Sequence, residues 1–196
     1  MSKNLDDAGL DLLFRDARTY NAWQDKPIDD DTLHALYDLL KWGPTSFNCL
    51  PARLVFVRST AAKQRLVPHL LPSNAAKTLQ APVCVIVAYD SKFQDSLPHT
   101  FPAYDARALF DADPALAEAT ARRNSALQGA YLIIAARALG LDCGPMSGFN
   151  GPALDQAFFP DGRWKSNFLC NIGYGSQQNL YPRNPRLDFE QACLIL

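Results

Sequence analysis

Apolar residues recur at helical spacing in some stretches of the chain and crowd into continuous blocks in others, and this alternation predicts the elements. Leu10, Leu13, Phe14 and Ala17, behind acidic residues suited to a helix start, predict an amphipathic helix over 6–17. The Asp29-Asp30-Asp31 cluster, followed by Leu33, Leu36, Tyr37 and Leu40, predicts a second helix that Gly43-Pro44 stops. Residues 18–23 form a polar turn between the two. Residues 44–51 (Pro-Thr-Ser-Phe-Asn-Cys-Leu-Pro) read as a loop rich in hydrogen-bonding groups. The apolar blocks 53–58 and 83–89 predict strands, and the second, apolar on both alternations, fits a strand covered on both faces. Short helices are expected at 61–68 and 74–80. Residues 90–113 carry aromatics without a period and read as a long loop.

Asp113-Pro114 is a strong helix start, and Gly140 is a stop. The second half of the enclosed helix, 126–139, is apolar around nearly its whole circumference. It should be buried on most sides, and it is suited to be the spine of a subunit interface. Seven of the ten glycines fall between Gly140 and Gly175, where Cys143-Gly144-Pro145-Met146-Ser147-Gly148 reads as a bend. A short helix at 152–159, a strand at 166–174 and a tail bearing Arg183 and Arg186 complete the pattern. Helices mixed with a few buried strands, without regular alternation, indicate an α+β fold.

Composition narrows this further. The chain has 196 residues, 48% hydrophobic and 20% charged, which suits one domain over 1–196 with a substantial core. A net charge of -1, without a basic run, argues against nucleic-acid binding. No apolar stretch approaches the ~20 residues a membrane span needs. Segment 1–7 lacks the basic and apolar regions of a leader, so a cytoplasmic location without membrane contact is expected. The five cysteines form no C-x-x-C pair, and the three histidines stand far apart, so no metal site is expected. Cys84 and Cys170, inside apolar runs, should be small buried residues.

The familiar catalytic motifs are missing. Gly173-Tyr174-Gly175 lacks the third glycine and the helix of a dinucleotide fingerprint, and Ser147 is in no G-x-S-x-G elbow. Arg18-Thr19 in a turn suits either a solvated surface or an anion clamp, and the same alternatives hold for Arg183 and Arg186. Asn74 and Lys77 share one helix face at i, i+3.

Taken in order, these segments acquire a common meaning. The series Arg-Thr turn, Asp-Lys-Pro-Ile (25–28), Gly-Pro-Thr-Ser-Phe-Asn (43–48), Asn-x-x-Lys (74–77), Ala-Pro-Val (81–83), Ala-Leu-Gly-Leu-Asp (138–142) and Pro-Met-Ser-Gly-Phe (145–149) resembles the flavin-dependent nitroreductase family over nearly the whole chain. The stretches 41–46, 144–149 and 171–175 are most similar to members that reduce malonic semialdehyde to 3-hydroxypropionate in pyrimidine degradation.

The resemblance implies a central mixed or antiparallel sheet flanked by helices, FMN bound between the subunits of an intertwined homodimer, and NADH or NADPH as reductant. Arg18, Thr19 and Asn21 match the turn that holds the FMN phosphate and ribityl chain. Pro44, Thr45, Ser46 and Asn48 match the loop reaching the flavin from the other subunit. Asn74 and Lys77 match the pair at the pyrimidine edge, Pro145, Met146, Ser147 and Gly148 the loop passing N5, and Arg183 or Arg186 the C-terminal phosphate clamp. Arg107 is the expected anchor for a substrate carboxylate, or else merely ties its loop down; Phe101, Tyr104 and Phe110 are the expected lid. A nitroaromatic, quinone or activated alkene is the alternative acceptor. Ala17 stands where the family often has a second arginine, Asn21 where it often has a basic residue, Leu50 and Ala52 where it often has Gln and Trp, and Ser147 where several enzymes have Glu. Phosphate binding is therefore expected to lean on Arg18, Arg183 and Arg186.

Overall fold

In a computed structural model that describes residues 4–196, the centre is a four-stranded sheet in the order β1-β2-β4-β3. The strands are β1 (Ala52–Val57), β2 (Val83–Asp90), β3 (Asp142–Met146) and β4 (Trp164–Gly173), and every pairing is antiparallel. Residues 1–3, part of the segment 1–7 read for leader features, lie outside the described residues. β2 is buried at every position, as its unbroken apolar run requires of an inner strand.

Nine helices occur among the described residues: α1 (Asp7–Leu10), α2 (Asp30–Leu40), α3 (Thr60–Leu66), α4 (Pro72–Gln80), α5 (Leu97–Thr100), α6 (Arg107–Ala112), α7 (Pro114–Ala138), α8 (Gly151–Phe158) and α9 (Phe189–Ala192). The capping signals act as their chemistry dictates. The Asp29 carboxylate accepts from the Thr32 N–H at 2.7 Å, and Asp113 accepts from the N–H groups of Ala115 and Leu116. Gly140, at φ 74°, takes the left-handed conformation that ends α7.

The two sheet faces carry separate cores. On one, Leu36 and Leu40 of α2 and Leu132, Ala135 and Ala136 of α7 pack on Val83, Val85, Val87 and Ile172. Gly129 lets α7 approach the sheet, since a Cβ there would stand 2.4 Å from the Phe168 ring. The other face joins Leu66 of α3 and Leu154 of α8 to Ile86, Met146 and Leu169. A third cluster, including Phe93, Leu97 and Phe110, forms a cap over the first half of α7.

Several expectations are corrected. The helix expected over 6–17 is only α1 followed by a wider π-type turn over Asp11–Arg15. Residues 142–146 form a strand rather than a bend. Pro145 is tolerated there because β3 lies at the sheet edge, where its missing N–H costs no inner ladder bond. The stretch 90–113 contains α5, α6 and a 3-10 turn at Phe93–Ser96, because aromatic packing supplies the order that periodicity lacked. The tail includes α9. In the second half of α7, Leu127 (47% exposed) and Tyr131 (39%) face outward rather than inward.

An ion network fastens the cap. Asp90, 1% exposed, takes Arg53 at 2.8 Å and Arg163 at 2.9 Å, and Arg163 continues to Asp95 at 3.3 Å. Burial pushes the Asp90 carboxyl up, but the Arg163 bonds, the Lys92 N–H and the Arg53 charge outweigh it and leave it below its ordinary value.

Candidate functional site

The polar turn after α1 runs along the outer edge of β3. The Tyr20 N–H donates to the Cys143 carbonyl at 3.1 Å, and Trp23 bridges to Gly175. The tail folds back over this turn. Arg18 donates to the Tyr181 carbonyl, and Arg183 donates to the carbonyls of Arg15 at 2.6 Å and Ala17 at 2.9 Å. From the end of α7, Arg137 donates to the Leu13 carbonyl at 2.9 Å.

These crossings border an open cavity of about 670 Å³ that gathers Arg18, Thr19, Asn21, Arg137, Arg183 and Arg186, with no acidic residue among its lining. Carbonyl partners hold the guanidiniums without neutralising them, so the cavity is a concentrated positive field. The buried Nε of Arg137 has no partner among the described residues. A cavity of this chemistry suits a phosphate group, which accepts from several guanidiniums at once. At the rim, Arg15 is engaged by Asp7 at 2.8 Å and Asp11 at 2.5 Å. Below, the Asp142 carboxyl accepts from the Gly175 N–H at 2.8 Å; burial raises its pKa against the pull of that bond and of the Arg137 charge.

Asn21 of the lining links the cavity to α4, because its side-chain oxygen accepts from Lys77 Nζ at 3.3 Å. Burial lowers the Lys77 pKa. One turn earlier, the Asn74 amide donates to the Gly148 carbonyl at 2.9 Å, and the Leu71 N–H donates to the same oxygen at 3.0 Å. The loop after β3 is thus fastened to α4. Gly148 leaves room for this bond, because a Cβ there would stand 2.7 Å from the Asn74 nitrogen. Pro145 and Ser147 are exposed beside it, whereas Met146 is buried.

Four of the expected segments, 18–21, 74–77, 145–148 and 183–186, are therefore linked in one region. The 44–48 loop lies elsewhere in the chain. Ser46 N–H donates to Asn124 at 2.9 Å, Asn48 donates to the Thr100 carbonyl at 2.7 Å, and the Thr45 hydroxyl accepts from the Leu50 N–H. Phe47, Asn48 and Leu50 all have positive φ, so this loop is held in a shape that helix and strand patterns do not foretell. Phe47 meets Phe101 and Phe110 edge to face, with ring centroids 5.5 and 5.8 Å apart. Arg107 sits in the cap, paired with Asp95 at 3.1 Å and Asp111 at 3.2 Å.

Two cavity cations escaped the reading from sequence. Arg137 looked like an ordinary basic residue in a helix's last turn, and Arg15 like a helix-surface charge. Their only signal was an arginine near the end of each predicted helix.

The thiols have no evident part in this region. Burial pushes Cys49 up to about 11 and Cys84 to about 12, which leaves both protonated and unreactive. Among the described residues, no group of His, Cys, Asp or Glu is arranged to hold a metal, and no helix is long and apolar enough to cross a membrane.

Comparison with known proteins agrees with this geometry. The family model described as the nitroreductase family matches residues 15–174. A Rhodopseudomonas palustris protein called "Putative NADH dehydrogenase/NAD(P)H nitroreductase" is 64% identical over the full length of both chains. A Ralstonia nicotianae protein of the same designation is 57% identical over 98% of each. Among solved structures, an Exiguobacterium sibiricum nitroreductase-type protein in complex with FMN superposes with a TM-score of 0.82 at 18% identity, covering 100% of both chains. A gut-bacterial enone reductase superposes with a TM-score of 0.84 at 18% identity, covering 98% of this chain and 100% of the other. The solved structures share the fold, and the matched model and full-length relatives establish the lineage: this chain belongs to the nitroreductase family.

Proposed function

We propose that this chain, as one domain, is an FMN-dependent NAD(P)H oxidoreductase, and that its acceptor is malonic semialdehyde, reduced to 3-hydroxypropionate in pyrimidine degradation. The observation that carries the cofactor assignment is the acid-free cavity of Arg18, Arg137, Arg183 and Arg186, joined through Asn21 to Lys77 and Asn74. The FMN complex of the Exiguobacterium neighbour and the NAD(P)H in the relatives' designations support it. FMN supplies the hydride acceptor and donor when bound.

The chain's own residues have the remaining work. The four arginines and Thr19 bind the phosphate. Asn74 and Lys77 face the polar edge of the ring, where the ammonium favours negative charge. The 145–148 loop passes the reacting edge of the ring. The 44–48 loop reaches the site of a second copy, so that a homodimer shares each site between chains. The exposed Leu127 and Tyr131 on α7 and the exposed apolar residues 194–196 are suited to such an interface.

Arg107 anchors the acceptor's carboxylate, exchanging one of its two carboxylate partners for the substrate. This acceptor assignment rests on the likeness of 41–46, 144–149 and 171–175 to semialdehyde-reducing members. The relatives' designations as nitroreductases favour a second acceptor class, nitroaromatics, with quinones and activated alkenes as its further members.

The deciding experiment is anaerobic. Protein loaded with FMN is bleached with NADH or NADPH, and reoxidation by malonic semialdehyde, a nitroaromatic and a quinone is compared as kcat/KM. Semialdehyde should lead. Arg107→Ala should raise its KM while sparing the quinone, and equal losses on both would remove Arg107 from the site. Protein that takes up no FMN would overturn the whole reading.

A further inference from the structure

On the buried side of α4, two polar side chains are completely buried among apolar core residues. Thr78 and Asn171 both have 0% exposure. The Asn171 amide, near the end of β4, donates to the Thr78 hydroxyl at 3.2 Å, and that hydroxyl lies 3.8 Å from the Met146 sulfur of β3. The Asn171 oxygen has no partner among the described residues, so the hydroxyl of Thr78 is the side chain's one polar link. A buried, half-satisfied amide costs stability that an apolar residue would not. Where such a group is retained, its directional bond fixes a register that apolar packing alone leaves free to slide.

The register in question is that of α4 on the sheet. Thr78 follows Lys77 directly and lies one helical turn after Asn74, so any shift of α4 moves both groups. The same end of α4 is also held by the buried ammonium of Lys63, which donates to the carbonyls of Ala81 and of Leu79 at 3.3 Å, and the other end by the Asn74 and Leu71 bonds to Gly148. Loss of the Thr78 bond therefore lets the helix face that carries Lys77 shift on the sheet without detaching the helix.

We propose that Thr78 and Asn171 are a buried positioning pair that sets α4 on β3 and β4 and thereby places Lys77 and Asn74 against the polar edge of the bound flavin. This rests on the flavin reading of the site. It makes the pair a determinant of the cofactor's potential, acting through Lys77, without contact between either residue and the cofactor.

The test uses full-length protein loaded with FMN and measures midpoint potential and FMN Kd, neither of which requires turnover. Thr78→Val keeps the shape and removes the hydroxyl. It should lower the potential and raise the Kd about five- to tenfold, while Thr78→Ser should keep both near the wild-type values. Lys77→Met should shift the potential in the same direction, and the Thr78→Val/Lys77→Met double variant should shift it no further than Lys77→Met alone. Thr78→Ala carries the same test if Thr78→Val does not fold. Additive shifts, or an unchanged potential in the hydroxyl-less variants, would overturn the proposal. A wild-type protein that binds no FMN would instead overturn the reading beneath it.

Discussion

The guanidinium of Arg183 donates to the carbonyl oxygen of Ala17 at 2.9 Å, across 166 residues of chain. This contact closes the C-terminal tail over the first polar turn and turns two separate basic segments into one cavity wall. The tail arginine thus both shapes the cavity and contributes its charge. Arg183→Ala should raise the FMN Kd about 10- to 100-fold, in keeping with the loss of a charge-assisted bond. Arg137→Met, which removes a cation whose buried Nε has no partner among the described residues, should act in the same direction. Fluorescence titration of FMN at low and high salt measures both, and weakening that is present at low salt and vanishes at high salt would point to general charge instead of a specific contact.

Asp90 anchors the cap, and its removal leaves Arg53 and Arg163 without their shared counter-charge. Asp90→Asn should cost about 2–3 kcal/mol, less than a fully buried pair because the two arginine side chains are 25% and 40% exposed. The pH dependence follows from the lowered carboxyl pKa. The stabilisation is complete above the unfolded value, about 3.9, and is lost as pH falls through the lower folded value. Urea unfolding of both proteins should therefore give curves whose separation shrinks below about pH 4. A separation independent of pH would rule out the charge as its source.

Gly148 permits the bond between its own carbonyl and the Asn74 amide. In Gly148→Ala the new methyl would press on Asn74 at 2.7 Å and on Leu71 at 2.9 Å. Those side chains or the loop must shift, at about 1–3 kcal/mol of overpacking. Thermal unfolding should record a modest drop in Tm, and FMN affinity should fall several-fold. An unchanged affinity would separate this loop from the cofactor.

Leu127 and Tyr131 are partly exposed apolar side chains one turn apart on α7. In a shared-site dimer they would be covered, and Leu127→Lys would introduce an unpaired charge into that interface. Sedimentation should show the variant as monomer at concentrations where the parent is dimeric, with loss of bound FMN. A wild-type chain that sediments as a monomer would remove the dimer from the proposal.

Local chemistry made much of this protein legible before folding. Periodicity and caps placed α2 and α7 to within a few residues, since Asp29, Asp113-Pro114 and Gly140 act on their immediate neighbours. The unbroken apolar run of β2 marked it as an inner strand for the same reason: burial on both faces leaves no polar positions. The motifs carried the family, and the basic turn, the Asn74 and Lys77 pair, the 145–148 loop and the tail arginines were all visible as residues.

Only the tertiary structure decided what those residues do to one another. β3 is a strand because β4 offers it an edge that accepts Pro145, and residues 90–113 are ordered because Phe93 and Phe110 find partners distant in sequence. Arg137 joins the cavity because a helix end 25 residues from its start happens to meet the tail and the first turn. Thr78 and Asn171, two unremarkable polar residues in sequence, meet in the core. Spacing along a chain specifies local hydrogen bonds and burial periodicity. Contacts between residues far apart in sequence depend on how the faces pack, so the cavity, its missing acids and its buried supports appeared only when the chain closed on itself.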